Sequence, residues 1–519
     1  MLVKTIDQIL PGTAARIPEK TALIFGDRAF TYRELERLTN RAANGLKALG
    51  VKKGDRVTLF SQNSWEWVVS YLAIAKAGGV LNPVNAMLTA EELAFVVKDC
   101  GARVLMTTPE RAKLVSHLKN GGSLKEIVVL GGTLEGTVSF DALLAGQPDT
   151  IEPPGNVPEE LSTICYTSGT TGFPKGAMLS HYSVVLNAWL TAAMNVRTQH
   201  DVQFTGLPLA HVYGTVVMNL SFLLGLTFVM LEKFDAQKAL ESMQRHKVTI
   251  IDGVPTMYLY MLAHPDFDKY DLSSLRVAVV GGQAMPPAKS TEWHKRTGTQ
   301  VLELWGMTEL AGPGIMQHSY CENRLGSAGI MMPFMQGRIV SPEDPSKELP
   351  VGEVGELMIK GPFNMIGYYG NEKATAETIE PDGWLHSGDL CKVDADGYFY
   401  IVDRKKDMIL TAGYNIYPAE IERIIVGHPA VAMVGVGAKP DAQKGEIAKA
   451  YVVLKPGASV EPSGIIDHCR QHLAAYKVPR EVQIVPALPT TSSGKIMRRE
   501  LKRLDQDAPA AKESAAATA

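Results

Sequence analysis

The chain has 519 residues, which is longer than one ordinary domain, so two or three domains are expected. Hydrophobic residues make up 45% of the chain and charged residues 21%, a globular balance that can bury a sizeable core. The formal net charge of −3 gives no electrostatic reason to expect nucleic acid or an anionic membrane as a partner, so any anion site must be local.

The cysteine content and the length of the apolar runs further limit the class of protein that the sequence can encode. The first ten residues lack the long apolar run of a signal peptide, and no stretch of about 18 uninterrupted apolar residues predicts a membrane span. We interpret the cysteines as reduced thiols in a cytoplasmic protein, because their number is odd and none forms a C-x-x-C pair. They are Cys100, Cys165, Cys321, Cys391 and Cys469.

Helical patterns alternate with short β-rich runs along the first two thirds of the chain. Residues 31–50 have apolar positions at helical spacing and end in Gly50, and residues 55–61 follow as a strand. The apolar segment 216–231 is interpreted as a buried helix, a turn at Gly225 and a strand. Strands alternating with helices predict α/β layers with largely parallel sheets. The other candidate strands are 102–108, 126–132, 248–254 and 275–282.

The pattern changes after about residue 325. Shorter β elements with Gly and Asp turns are predicted in 352–361, 383–404 and 432–440, together with helices in 418–428 and 464–476. We place a domain boundary in the charged run 402–409. The low-complexity tail, 506–519, is predicted to be disordered.

The run "YTSGTTGFPKG" at 166–176 is the most informative stretch of the sequence. Glycines let backbone N–H groups converge on an anion, hydroxyls add donors, and Lys175 adds a cation, so the run predicts a phosphate-binding loop. Residues 162–166 ("STICY") are predicted to form a strand before the run, and residues 178–194 a helix after it. The run is neither a Walker A loop, since Phe173 and Pro174 follow Gly172, nor a G-x-G-x-x-G fingerprint.

Four further motifs follow that loop in a fixed order and give the sequence a specific resemblance. They are "LELWGMTE" (302–309), "GWLHSGDL" (383–390), "IVDRKKDMILTAGYNIYPAEIE" (401–422) and "SSGKIMRREL" (492–501). With the loop they resemble the AMP-forming adenylating superfamily of acyl-CoA synthetases, aryl-CoA ligases, luciferases and peptide-synthetase adenylation domains. The resemblance covers about residues 5–505.

The resemblance implies an α/β fold with a large N-terminal domain of layered sheets and helices, and a small, mobile α+β C-terminal domain. Residues 1–404 would form the adenylation core with the ATP and acyl pockets, and residues 405–505 the mobile domain. The implied reaction joins a carboxylate to ATP's α-phosphorus, releases pyrophosphate, and then transfers the acyl group to the thiol of coenzyme A. ATP, Mg²⁺ and coenzyme A are therefore the expected cofactors and co-substrates.

The resemblance also assigns nucleotide-binding roles to particular residues. Thr308 would contact the α-phosphate, Glu309 would hold Mg²⁺, and Trp305 would stack on adenine where many relatives have Tyr. Asp389 would bind the ribose hydroxyls with help from Arg404. The residues expected to bind the outer phosphates are Thr167, Ser168, Gly169, Thr170, Thr171 and Lys175. The remaining ATP-site residues are Gly282, Gln283, which replaces a common alanine, and Glu303.

Three residues of the C-terminal part take roles in the two half-reactions by the same resemblance. Lys495 would be the catalytic lysine, bridging the attacking carboxylate and the α-phosphate. Lys406 aligns with the hinge about which the C-terminal domain would rotate. Gly413 would line the pantetheine tunnel, where a side chain would block passage.

The segment "LPLAHVYG" (207–214) matches the edge of the acyl pocket. His211 would lie near the reacting carboxylate and is assigned a catalytic role, and Tyr213 takes the position of a pocket tyrosine that can bond a ring hydroxyl in aryl-CoA ligases. Gly281 and Met218 complete the predicted pocket. Further methionines indicate a soft, apolar lining. They are Met316, Met331, Met332 and Met335.

We expect a carboxylate–CoA ligase acting on a medium- to long-chain fatty acid. The alternatives are an arylalkenoate ligase of the coumarate or ferulate type, and a stand-alone adenylation enzyme that loads a carrier protein. A luciferase-like oxygenase and a non-catalytic relative are less favoured, because nothing calls for oxygen and the motif residues are retained. The expected partners are small molecules, with no nucleic acid and no transmembrane segment, and the resemblance allows a homodimer.

Overall fold

The computed structural model describes residues 3–119, 122–167, 174–411, 414–441, 443–491 and 496–505. The strands within these ranges are, in chain order, β1 (Thr21–Phe25), β2 (Arg28–Thr31), β3 (Arg56–Phe60), β4 (Val80–Pro83), β5 (Val104–Thr107), β6 (Glu126–Val129), β7 (Val138–Ser139), β8 (Leu161–Thr167), β9 (Lys175–Ser180), β10 (Val202–Thr205), β11 (Thr227–Met230), β12 (Ile250–Gly253), β13 (Val277–Gly281), β14 (Val301–Met307), β15 (Gly312–Met316), β16 (Ile330–Met331), β17 (Gln336–Val340), β18 (Gly355–Lys360), β19 (Gly367–Tyr368), β20 (Leu385–Val393), β21 (Phe399–Arg404), β22 (Ile409–Thr411), β23 (Tyr414–Ile416), β24 (Val431–Asp441), β25 (Gly445–Leu454) and β26 (Glu481–Ile484).

The α-helices lie between these strands. They are α1 (Ile9–Arg16), α2 (Tyr32–Ala48), α3 (Trp65–Lys76), α4 (Ala90–Asp99), α5 (Pro109–Val115), α6 (Phe140–Leu144), α7 (His181–Met194), α8 (Val212–Leu224), α9 (Ala236–Arg245), α10 (Pro255–Leu262), α11 (Pro287–Thr297), α12 (Glu372–Thr378), α13 (Pro418–Val426) and α14 (Pro462–His472). Short 3₁₀ turns add Ile6–Gln8, Ser116–Lys119, Phe267–Lys269, Thr308–Leu310, Lys405–Asp407 and Arg498–Asp505. None of the helices described is both long and apolar enough to cross a membrane.

Two large sheets form the framework of the N-terminal part. Within the described ranges, one has nine strands in the order β16-β15-β14-β13-β12-β10-β11-β1-β2, and the other has eight in the order β19-β9-β8-β4-β3-β5-β6-β7. Their central strands are parallel. Three of the four edge pairs are antiparallel, and the fourth, β6–β7, is parallel. Buried residues of both sheets and of α3 and α8 belong to one core cluster, so these helices pack between the sheets. The predicted α/β layering is confirmed.

A smaller antiparallel sheet, β17-β18-β20-β21, ends at Arg404. The next sheet, β23-β22-β25-β24 with β26 beside β25, begins at Ile409 and packs with α13 and α14 around its own core. The large N-terminal and separate C-terminal α/β units predicted from the sequence are confirmed. The boundary between 404 and 405 stays a prediction, and the tail 506–519 lies outside the described residues.

Two local predictions show which sequence features specify structure directly. Helix α2 begins after Thr31, whose side chain and Glu34 form a reciprocal capping box, and its apolar face is buried. The apolar segment 216–231 divides as expected, because Gly225 adopts a left-handed conformation (φ +88°) that ends α8 before β11.

The helix predicted over 178–194 is confirmed, but it starts three residues later than expected. Residues 175–180 form β9, which pairs antiparallel with β8 in a register that sets Thr167 opposite Lys175, and α7 starts only at His181. Ser180 caps that helix by accepting a hydrogen bond from the Ser183 backbone N–H. The described strands on either side of the run, β8 and β9, therefore pair as a β-hairpin, and residues 175–180 separate the run from the N-terminus of α7.

Candidate active site

The β8–β9 hairpin brings the two ends of the predicted phosphate loop together. Thr167 ends β8 and Lys175 begins β9, and both side chains are half-buried. Close approach of the strands needs Gly176, where an added Cβ would lie 2.7 Å from Ile164 Cγ2. The loop residues Ser168, Gly169, Thr170 and Thr171 lie outside the described residues, so their phosphate contacts stay a prediction.

Tyr368 on β19 connects Lys175 to Glu309. The Lys175 ammonium lies 5.2 Å from the Tyr368 ring centroid, and the Tyr368 hydroxyl donates a 2.7 Å hydrogen bond to Glu309 Oε1. Glu309 sits in the 3₁₀ turn after β14 with Thr308 beside it, and only 7% of it is exposed. Burial raises the pKa of this carboxyl, and the hydrogen bond from Tyr368 opposes that rise.

Trp305, Asp389 and Arg404 form a second group beside the first. The Trp305 indole Nε1 donates a 2.7 Å hydrogen bond to Asp389 Oδ2. Arg404 lies opposite Asp389 on the paired strands β20 and β21, with 3.5 Å between its Nε and Asp389 Oδ1. The indole, which is 8% exposed, and the guanidinium thus orient one carboxylate from two sides.

We expect Trp305→Phe to raise the KM for ATP about tenfold while leaving the KM for the acid unchanged. The substitution keeps an aromatic ring but removes the hydrogen bond that orients Asp389, and a bond to a charged group is worth about 1.5 kcal/mol or more. Initial rates at varied ATP concentration check this.

Trp189→Phe is the matched control, because the Trp189 Nε1 is buried with no hydrogen-bond partner among the described residues. An equal rise in both variants would contradict a specific role for the Trp305–Asp389 bond.

The ends of β13 and β14 leave an open backbone surface next to these groups. Gly282 is exposed with φ +89°, a left-handed conformation that glycine adopts without strain, and Gln283 follows it half-buried. At Gly281 an added Cβ would lie 2.4 Å from Leu304 Cδ1. A side chain at 281 would thus clash with Leu304, and one at 282 would strain the backbone, so the two glycines leave the backbone open to a closely approaching ligand.

Glu303 stabilises this turn through hydrogen bonds to the backbone. Its carboxylate accepts hydrogen bonds from the backbone N–H groups of Met285 and Gly326, each at 3.1 Å. Burial raises its pKa to about 7, and the two hydrogen bonds oppose the rise. Glu303 is thus bonded to the end of the 281–285 segment and is not among the residues that line the adjoining cavity.

A cavity opens beside the turn and is the candidate acyl pocket. Gly282 is exposed, His211 and Met307 are half-buried, and Tyr213 is one of the buried lining residues. The lining consists of Leu207, Pro208, His211, Val212, Tyr213, Val254, Gly282, Leu304, Gly306, Met307, Gly312 and Pro313.

His211 is held at the start of α8. It is the N-cap of that helix, and its Nδ1 accepts a hydrogen bond from the Tyr213 backbone N–H at 3.2 Å. The bond fixes the ring at the side of the cavity and makes Nδ1 the acceptor nitrogen of the imidazole.

A fully buried ion pair lies behind Tyr213. Arg197 binds Asp252 in bidentate fashion at 2.8 and 3.0 Å, and neither side chain is exposed to solvent. Gln203 Nε2 donates to the same carboxylate at 2.8 Å, and the Tyr213 hydroxyl donates to Asp252 Oδ1 at 3.1 Å. Asn195 Oδ1 accepts from the guanidinium at 3.1 Å. The network fixes the ring of this lining residue.

Several predicted residues lie elsewhere or outside the described ranges. Met218 is fully buried on α8 and is absent from the cavity lining, where Met307 is the methionine. Lys406 is exposed in the 3₁₀ turn between β21 and β22. Gly413 and Lys495 lie outside the described residues, and their roles stay predictions.

Sequence reasoning missed Tyr368 and the Arg197–Asp252 pair. Tyr368 follows a glycine in a short strand with no catalytic pattern, so only its position between Lys175 and Glu309 reveals it. Asp252 did carry a usable feature, because it is a lone acid in the apolar strand "TIIDGV" (249–254). A buried carboxylate needs a partner, and that requirement could have prompted a search for Arg197.

Comparisons with known proteins agree with this geometry. The family described as AMP-binding enzyme matches residues 10–369, and its C-terminal domain matches residues 420–495. A feruloyl-CoA synthase of Amycolatopsis sp is 39% identical over 497 residues, covering 94% of this chain and 96% of the relative. A long-chain-fatty-acid–CoA ligase of Bacillus subtilis (strain 168) is 34% identical, covering 96% and 94%.

A solved structure extends the agreement to the whole fold. The anthranilate CoA ligase AuaEII in complex with anthranoyl-AMP superposes with a TM-score of 0.92 at 33% identity, covering 98% of both chains. The chain therefore belongs to the AMP-binding enzyme family, in the adenylate-forming superfamily of acyl- and aryl-CoA ligases, and is an AMP-forming acid–thiol ligase.

Proposed function

We propose that the enzyme ligates an arylalkenoic acid of the ferulate class to coenzyme A through an acyl-adenylate. The observation that carries this proposal is the buried polar network that adjoins the acyl cavity. The lining residue Tyr213 is bonded to the buried Arg197–Asp252 pair, so the cavity cannot lengthen past Tyr213 for a long alkyl chain without uncovering that pair. A short planar acid needs no such continuation.

One further observation supports the aryl acid. Relatives at 39% identity are feruloyl-CoA synthases, whereas the long-chain ligase compared above is 34% identical.

In the first half-reaction the acid's carboxylate oxygen attacks the α-phosphorus of ATP, and pyrophosphate leaves. Thr167, Lys175 and the hairpin loop between them would bind the leaving phosphates, with Thr308 at the α-phosphate. Asp389, oriented by Trp305 and Arg404, would bind the ribose hydroxyls. Lys495 would hold the attacking oxygen near phosphorus and offset the charge that develops there.

Glu309 fits the role of a Mg²⁺ ligand alongside the phosphates. Its carboxylate is buried and oriented by Tyr368, and a buried carboxylate beside phosphates is stabilised by a hard cation. The ion, when bound, would neutralise phosphate charge.

In the second half-reaction the thiol of coenzyme A attacks the acyl carbonyl carbon, and AMP leaves with the bonding electron pair. His211 is fixed at the side of the cavity near the expected position of that carbonyl. Rotation about Lys406 would withdraw Lys495 and bring Gly413 to the thiol path. We propose that these steps occur in the cytoplasm, where the free thiols of all five cysteines would persist.

A medium- to long-chain fatty acid is the second candidate substrate. The cavity lining is mostly apolar, and a long-chain-fatty-acid ligase is similar over nearly the whole chain. Such an acid would have to displace Tyr213 or leave its alkyl end outside the cavity.

We expect an acid panel to separate the two candidates. AMP and acyl-CoA formation are measured with ATP, Mg²⁺ and coenzyme A for acids from C2 to C18 and for benzoate, cinnamate, coumarate and ferulate. The buried network beside the cavity predicts kcat/KM for coumarate or ferulate at least about tenfold above that for hexadecanoate, the equivalent of about 1.4 kcal/mol.

A preference for hexadecanoate would refute the arylalkenoate proposal in favour of the second candidate. Adenylate formation without any acyl-CoA product would instead favour a carrier-loading enzyme.

A further inference from the structure

Asp403, near the end of β21, bonds the C-terminal unit to the smaller antiparallel sheet of the N-terminal part. Its side chain is 1% exposed. Its Oδ1 accepts a hydrogen bond from Arg498 Nη1 at 2.5 Å, and its Oδ2 accepts one from the Ala419 backbone N–H at 2.7 Å. Both donors follow the turn Lys405–Asp407 in the chain, so this buried carboxylate joins the two parts of the protein.

The bond to Ala419 supplies a cap that helix α13 needs at its start. The N-cap residue, Tyr417, makes no side-chain capping bond to the N–H groups described for this helix, and Pro418 has no N–H. Ala419 thus carries the first N–H within the helix, where a carboxylate also meets the positive end of the helix dipole. Asp403 therefore caps α13 from the preceding unit.

Arg498 is held for its bond to Asp403 by a second carboxylate. Its Nε and Nη2 bind Glu422 of α13 at 3.1 and 2.7 Å, while its Nη1 binds Asp403. The Arg498 side chain is 18% exposed, and the planar guanidinium can bind two carboxylates at once. Both α13 and the segment after Lys495 are thus bonded to the same side chain of β21.

The residues on either side of Lys406 are bound to different parts of the chain. Lys405 Nζ donates a hydrogen bond to Glu356 Oε2 of β18 at 3.0 Å. Asp407 lies on the other side, with its Oδ2 3.4 Å from Arg498 Nη1. A rotation about Lys406 would therefore leave the buried carboxylate of β21 with the N-terminal part and break both of its bonds to the C-terminal unit.

The same contacts place the residues that follow Lys495 beside the ribose-directed groups. Arg404 comes directly after Asp403 on β21, and its Nε lies 3.5 Å from Asp389 Oδ1. Arg498, which binds Asp403, is three residues from Lys495. The arrangement held by Asp403 is therefore the one that adenylate formation needs.

We propose that Asp403 is a positioning residue for the first half-reaction, and that it holds the C-terminal unit in place by binding Arg498 and capping α13. Breaking these two bonds is the step that frees the unit to rotate for thioester formation. The inference rests on the proposed function in its two half-reactions, and it does not depend on which acid is activated.

Asp403→Asn is expected to lower the single-turnover rate of adenylate formation at least about fivefold, because the amide keeps the shape but loses the charge that Arg498 binds. The thioester half-reaction, started from supplied acyl-adenylate and coenzyme A, should stay at or above the wild-type rate, since it begins once these bonds are broken. The full-length enzyme is assayed with ferulate and with hexadecanoate, and each half-reaction is followed separately.

Asp394→Asn is the matched control. Asp394 follows β20 of the same sheet and accepts hydrogen bonds from Arg324 at 2.8 Å and from the Tyr398 backbone N–H at 2.9 Å. These partners match those of Asp403 in kind, but they lie before Lys405 in the chain. This variant should leave the ratio of the two half-reaction rates within about twofold of wild type, because the bonds it loses do not join the two parts.

Trypsin cleavage gives a measurement that needs no turnover. Lys406 is exposed between two bound neighbours, so cleavage after it depends on release of the C-terminal unit. Asp403→Asn should form the fragment that begins at Asp407 at least about threefold faster than wild type, and Asp394→Asn should not. If Asp403→Asn fails to fold, Arg498→Lys replaces it, because lysine keeps the charge but lacks the planar fork that binds two carboxylates.

The outcomes separate the inference from the function on which it rests. An unchanged rate of adenylate formation in Asp403→Asn, or an equal loss in both half-reactions, overturns the inference and leaves the proposed function in place. A wild-type enzyme that forms no adenylate with either acid overturns the proposed function, and the trypsin comparison then decides the inference by itself. Equal cleavage of Asp403→Asn and Asp394→Asn would overturn it.

Discussion

Lys495→Ala should lower the rate of acyl-adenylate formation by about 10²- to 10³-fold. Removing one group that stabilises charge in a transition state typically has an effect of this size. The thioester half-reaction, started from supplied acyl-adenylate and coenzyme A, should stay within about threefold of wild type, because the lysine is expected to be withdrawn by then. Pyrophosphate release and acyl-CoA formation are measured separately.

The structure supplies both a rationale and a control for this experiment. Arg498, three residues after Lys495, binds Asp403 at 2.5 Å and Glu422 at 2.7 Å, so the segment after the lysine is fixed to the end of β21 and to α13. Lys502 is exposed in the same C-terminal segment, and Lys502→Ala should leave both half-reactions unchanged. Equal loss of both halves in Lys495→Ala would point to a structural defect.

Arg197→Met should lower the free energy of unfolding of the N-terminal part by about 3–5 kcal/mol. The substitution leaves the Asp252 carboxylate buried with only its neutral donors, and breaking a fully buried ion pair typically costs this much. The midpoint of the first transition in urea, followed by tryptophan fluorescence, measures the loss.

An exposed ion pair provides the comparison. Arg245 and Asp27 lie 3.5 Å apart with side chains 67% and 95% exposed, so Arg245→Met should cost less than about 1 kcal/mol. Similar losses in the two variants would mean that solvent reaches the Arg197–Asp252 pair during folding or in the native state.

The same comparison bears on why the buried pair is present at all. Buried ion pairs are often no more stabilising than well-packed apolar side chains, because desolvation offsets their attraction. Stability alone thus gives little reason for a charged pair behind an apolar cavity. The pair also holds the hydroxyl of the lining residue Tyr213, which donates to Asp252 Oδ1 at 3.1 Å.

The site as a whole combines groups that are far apart in sequence. Lys175, Glu309 and Tyr368 meet because β9 pairs with β19 on one side and the turn after β14 lies on the other. Asp389 lies on β20 of the smaller antiparallel sheet, and its carboxylate there accepts the hydrogen bond from Trp305 of β14. Lys175 and Glu309 are held by Tyr368, which is not itself expected to touch ATP, and Asp389 is held by Trp305 and Arg404. These contacts limit the freedom of the three side chains before substrate binds.

The sequence by itself determined the superfamily, the α/β layering and those elements whose limits are set by neighbouring residues. The capping box of Thr31 and Glu34 specifies where α2 begins, and Gly225 specifies where α8 ends, because both act over one helical turn. The ordered motifs also identified the residues that are expected to bind ATP, without any knowledge of their contacts.

Only the tertiary structure decided what depends on pairing between distant segments. Residues 175–180 form a strand because β8 and β19 pair with its two edges, although the helix prediction over 178–194 includes the last three of them. Met307 rather than Met218 lines the cavity, since the choice depends on how α8 packs between the two sheets. Arg197 and Tyr213 both contact Asp252 of β12, although the three residues are far apart in sequence. Local periodicity contains no information about which strands become neighbours.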